Sequence, residues 1–191
     1  MKNKKQLLED VLKMASENMP PVKNHLDISL VKGKMLAKEY NVDEDFVTIG
    51  VCLMDIKLGE AHKLNKVPEH VKMASDFAKE FLEEYDLTKE EKDKLINCIE
   101  AHHGKIPFTC MEAEVCANAD CYRFIHPVGV FTYAGVLAKR TSGFKEQVTQ
   151  LKYKLNEKYN ILSLPKAKDD LEKYYEEYSK QFDEILEYFE D

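Results

Sequence analysis

Tryptophan is absent from this chain of 191 residues, and glycine and proline are scarce, at 7 and 6 residues. That scarcity, beside abundant Lys, Glu and Leu, favours helices over sheets. The five cysteines, Cys52, Cys98, Cys110, Cys116 and Cys121, are odd in number and include no C-x-x-C pair. A disulfide framework or a cysteine zinc site is therefore not expected, and a reducing cytoplasm is the expected compartment. No secretory leader is visible, because Lys4 and Lys5 are followed at once by Glu9 and Asp10. The longest mostly apolar run, Val128 to Ala138, falls short of the roughly 20 residues a bilayer span needs. An excess of positive charge is also missing. The formal net charge is -7, and residues 166–191 supply most of it with 10 acidic and 4 basic side chains. The rest of the chain is near neutral, which argues against nucleic acid or a membrane as partner.

What is present is an ordinary globular composition, 44% hydrophobic and 33% charged, at a length that fits one domain with a real core. Apolar residues recur at helical spacing. Leu7, Leu8, Val11, Leu12 and Ala15 mark a first helix over 3–19, stopped by Pro20-Pro21. A second opens at His25 and ends near Asn41, and Asp43 can cap a third that runs to Asp55. Residues 59–67 read as a loop carrying Glu60 and His62, and Pro68 starts the next helix. Thr88 with Glu91 three residues on forms a capping-box signature for the helix that ends in His102-His103-Gly104. Further helices are expected over 113–126, 128–140 and 144–159, the last two parted by Thr141-Ser142-Gly143. A final one follows Pro165. The fold class is all-α: one domain over 1–191, its core over 20–140 and a C-terminal helical extension over 141–191.

Three polar interruptions of apolar faces carry the chemistry. Asp55 lies four residues after Val51 and three after Cys52, so in a helix it projects from the apolar side, where a lone carboxylate is costly. His102 and His103 continue the face made by Leu95, Ile96 and Ile99. Asp120 stands at helical spacing from Ala113, Cys116, Ala117 and Phe124. Inward polar groups on three helices point to one shared site.

The order His25, Met54-Asp55, His70, His102-His103 and Asn118-Ala119-Asp120 resembles the HD-domain superfamily of metal-dependent phosphohydrolases. That resemblance, over roughly residues 20 to 140, implies a divalent ion (Mn, Fe, Mg, Co or Zn) with ligands drawn from His25, Asp55, His70, His102, His103 and Asp120. One position departs. Met54 stands where the family has the histidine of its His-Asp pair, and a thioether is a poor donor for hard ions. Weaker or altered metal binding is then expected, compensated by His70, by the second histidine of the 102/103 pair or by Glu60.

The activity implied is hydrolysis of a phosphate ester of a small metabolite or nucleotide. In it Asp55 serves as ligand, and Lys57 and Arg123 hold phosphate oxygens. A histidine of the 102/103 pair protonates the leaving group. The alternative is a catalytically degenerate scaffold acting as a ligand-binding or regulatory module. His126 and the cysteines read as structural residues. The aromatic stripe Tyr175, Tyr178, Phe182 and Phe189 is expected to pack a helix over 166–190, either on its own domain or on a second copy of the chain.

Overall fold

Two helices that are buried on nearly every side set the centre of the molecule. In the computed structural model, which describes residues 1–18, 23–141 and 143–189, all side chains from Phe46 to Met54 are buried. They belong to α3 (Glu44–Met54). The same holds for most of α7 (Met111–Ile125), including Asp120 and Arg123. A helix with almost no exposed face has to be wrapped by others. Around this pair lie α1 (Lys4–Asn18), α2 (Lys23–Glu39), α5 (His70–Phe81) and α6 (Lys89–Ala101). The shell is completed by α8 (Pro127–Leu137), α9 (Phe144–Tyr159) and α10 (Pro165–Glu187). The all-α class read from the sequence is met: among the described residues there is no strand, only an isolated bridge between Lys2 and Tyr85. Among the described residues no helix is long and apolar enough to cross a membrane.

Local chemistry sets the helix ends. Asp43 caps α3 by accepting a hydrogen bond from Phe46 N at 3.0 Å. Thr88 and Glu91 form the full reciprocal capping box of α6. Asn41, beyond the end of α2, takes φ 53°, the left-handed conformation that stops a helix. At Gly50 an added Cβ would lie 2.8 Å from Cys116 Sγ and 3.1 Å from Cys98, so the missing side chain is what lets α3 sit against α6 and α7.

Residues 59–67 are not one open loop. A short helix α4 (Leu58–Lys63) buries Ala61 beneath it, and a 3-10 turn (Val67–Glu69) leads into α5. The aromatic tail is helical as expected, but it ends at Glu187. Leu171, Tyr178 and Phe182 are buried, while Tyr175 stacks on Tyr159 with centroids 3.6 Å apart and Phe189 is 42% exposed. Pro20, Pro21, Ser142 and Glu190, to which helix breaks or ends were assigned, lie outside the described residues.

Candidate metal centre

The ends of several helices meet at one small cavity of about 140 Å³. Asp55 is the C-terminal cap of α3, His70 opens α5, and His102 closes α6 with His103 next to it. Asp120 and Arg123 stand one turn apart on α7, and Lys158 reaches in from α9.

The histidine end is organised by what the outer ring nitrogens do. His70 Nδ1 lies 2.6 Å from Val67 O, and His102 Nδ1 lies 2.7 Å from Ile99 O. A carbonyl oxygen only accepts, so in each neutral ring the proton sits on Nδ1 and Nε2 carries the lone pair. Those Nε2 atoms face Asp55 Oδ1 at 3.5 and 3.8 Å. His103 Nε2 is 3.2 Å from His70 Nε2, while its Nδ1 lies 3.1 Å from Glu157 Oε1 and 3.3 Å from Lys158 Nζ. Burial pushes His102 down to about 3, with the neighbouring His103 adding to the effect, so this ring stays neutral.

With the rings neutral, acceptors converge on one point with no proton of their own between His102, Asp55 and His70. Such a group repels itself unless a cation enters. Ligand atoms of the three histidines lie within 4.8 Å of one another, and imidazole with carboxylate suits Zn, Fe, Mn or Co. Carbonyl and carboxylate partners on the outer nitrogens are the usual means of aiming such ligands.

The opposite end is saturated by the protein's own cations. Arg123 Nη1 donates to Asp55 Oδ2 at 2.5 Å and to Asp120 Oδ1 at 2.7 Å, and Lys158 Nζ lies 2.6 Å from Asp120 Oδ2. All four side chains are buried. Burial opposes ionisation of both acids. Even so, Arg123 holds Asp55 well below the usual carboxylate range, and Lys158 with Arg123 does the same for Asp120. Burial likewise opposes the charge on Lys158, yet Asp120 holds its pKa above the ordinary lysine value.

Of the residues singled out in the sequence, His25, Asp55, His70, His102, His103, Asp120 and Arg123 all line this cavity, and so does His62. His25 Nε2 has no hydrogen-bond partner, and its ring stands edge-on to Phe124. Lys57 does not belong here. The chain turns at Asp55, where α3 ends, and sends Lys57 to Glu60 at 2.8 Å and over the Phe77 ring, beside a separate surface hollow. Glu60 goes with it and compensates for nothing. Met54 packs in the hydrophobic core. Arg123 is in place, but its guanidinium is engaged by carboxylates rather than presented as an open fork.

Sequence reading missed Lys158, Lys154, Glu157 and Arg140. A signal for Lys158 existed, since it continues the buried row Val148, Leu151 and Leu155 at helical spacing. Through it, α9 is built into the site rather than appended to it.

These buried histidines predict acid sensitivity of the ion-free protein. Burial pushes His25, like His102, down to about 3, against about 6.5 in an unfolded chain. Between those values the unfolded state binds the extra protons, so stability falls as pH falls, by about 1.4 kcal/mol per pH unit for each ring. The depressed carboxylates add loss only below about pH 4, where the unfolded chain begins to protonate. Urea midpoints measured in chelator from pH 7 to pH 5 should decrease steadily; flat midpoints would contradict the buried neutral rings.

No family model matches the chain. Ribonuclease Y of Finegoldia magna is 34% identical to it over 106 residues, which are 56% of this chain and 18% of that protein. The chain thus spans less than a fifth of that relative's length. The crystal structure of a predicted HD superfamily hydrolase from an uncultured Thermotogales bacterium superposes with a TM-score of 0.61 at 15% identity. That match covers 95% of this chain and 90% of the other.

Proposed function

We propose that this chain, an HD-domain superfamily member by its fold, is a metal-dependent phosphohydrolase acting on a phosphate ester of a small metabolite or nucleotide. The observation that carries the reading is the convergence of His70 Nε2, His102 Nε2 and Asp55 Oδ1, with Nδ1 of each ring turned to a backbone carbonyl. His70, His102, His103 and Asp55 would hold the ion. When bound, the ion polarises a phosphoryl oxygen and makes a nucleophile of bound water near neutral pH.

The chain's own residues supply the rest. Arg123 and Lys158 neutralise Asp55 and Asp120, so the ion's charge is left for an anionic substrate. Lys154 and the exposed Arg140 line the cavity, and Arg140 has no ion-pair partner among the described residues. These two cations draw an incoming phosphate towards the centre. Phe124, Tyr133 and Val136 form an apolar wall that limits water. His103, tied through Nδ1 to Glu157 and Lys158, has its Nε2 aimed among the ligands by those partners. We place the protein in the cytoplasm, acting on a small phosphorylated molecule rather than on a membrane. A second copy of the chain would pair through the C-terminal helix.

The test is a panel of phosphate monoesters and diesters, with short oligoribonucleotides added because of the Ribonuclease Y likeness. Each is assayed with Mn²⁺ or Co²⁺ and again after chelation. Hydrolysis that chelator abolishes and added ion restores is the expected result. Ion binding with no hydrolysis of any ester would favour the regulatory-module alternative, and no ion binding at all would overturn the metal reading.

A further inference from the structure

We infer that the centre takes one divalent ion per chain, at its histidine end, because Arg123 and Lys158 occupy the carboxylate oxygens a second ion would need. The inference rests on the metal reading above and goes beyond it by fixing how many ions the site holds and where.

Each carboxylate oxygen can be assigned. Asp55 Oδ1 faces the two imidazoles, but Asp55 Oδ2 accepts from Arg123 at 2.5 Å. Asp120 Oδ1 accepts from the same Nη1 at 2.7 Å, and its Oδ2 is held by Lys158 at 2.6 Å. An ion entering between Asp55 and Asp120 would have to displace a guanidinium that is 4% exposed and an ammonium that is 1% exposed. Each would be left buried without its counter-charge, the situation proteins tolerate least.

The remaining donors there are poor compensation. Met54 offers only a soft thioether and is packed in the core. His25 Nε2 is unpartnered, but one imidazole does not hold a hard divalent ion by itself. The guanidinium thus stands in for an ion: a fixed charge bridging the same two carboxylates, unable to bind water as a metal does. The buried Arg123 Nε also lacks a hydrogen-bond partner. Arg123 and Lys158 are positioning residues on this account, setting the charge and the valence of the site.

The experiment counts ions without reference to activity. Chelated, full-length protein is titrated with Mn²⁺ by calorimetry, and the loaded sample is examined by electron paramagnetic resonance. One ion per chain with an uncoupled six-line Mn²⁺ spectrum is expected. Met54→His should still bind one, since the new imidazole meets an occupied position. The double variant Met54→His/Arg123→Gln should rise to two ions and show exchange-coupled features. Two ions in the wild type, or in Met54→His with Arg123 intact, would overturn the inference while leaving the metal reading standing. No ion in any of them would remove both. The wild-type count decides the matter even if the double variant fails to fold.

Discussion

His102→Ala is expected to reduce ion-dependent phosphate-ester hydrolysis about a thousandfold, equivalent to about 4 kcal/mol of lost transition-state stabilisation. His102 is 1% exposed, is fixed through Nδ1 to Ile99 O, and points Nε2 at Asp55 Oδ1. It is one of the four donors assigned to the ion, and its Nδ1 anchor on Ile99 O fixes the aim of Nε2. Truncation also leaves a cavity at the end of α6, so part of the effect could come from misfolding. Steady-state kinetics at saturating Mn²⁺, paired with a thermal melt, separates the two. A folded variant that keeps more than a tenth of wild-type activity would show that the ion, if used, is held elsewhere.

Asp120→Asn should be strongly destabilising although it is a conservative change. The amide keeps the shape of the carboxylate but leaves Lys158 buried beside a neutral group, and Arg123 with Asp55 alone. Breaking one partner of a buried ion pair costs about 3–5 kcal/mol, which for a chain of this size lowers the melting temperature by roughly 6–20 °C. The sharper expectation is the double variant. Removing the stranded charge as well, in Asp120→Asn/Lys158→Met, should recover most of the loss, because the penalty lies in the unpaired ammonium more than in the missing attraction. Urea denaturation of the two single variants and the double completes the cycle. Additive losses would mean that the two side chains are not coupled.

The helices were legible because their signals are local. The apolar run before Asp55, the Thr88–Glu91 box and the stop at Asn41 each act within a turn or two of chain. Asp55, His102 and Asp120 were legible for a related reason: a polar group on an apolar face is improbable without a partner. The partners themselves were not. Asp55 and Arg123 lie 68 residues apart, and no spacing rule connects them. Lys57 was misplaced because nearness to Asp55 in sequence was taken for nearness in space, whereas α3 ends at Met54 and the direction of the next side chains changes. Lys158 was overlooked because lysine in an amphipathic helix is ordinarily a solvated residue. Here an aliphatic row draws its stem inward and Asp120 receives its charge.

The charged chain Asp55–Arg123–Asp120–Lys158 also has an order in time. A polypeptide is made from its N-terminus, and 38 residues separate Asp120 from Lys158. At roughly 5–20 residues per second, synthesis of that stretch lasts about 2–8 s. For that interval the nascent chain already contains the histidines, both acids and Arg123, and it has no ammonium for the second oxygen of Asp120. The second oxygen of Asp120 therefore waits those seconds for the side chain that holds it in the folded protein.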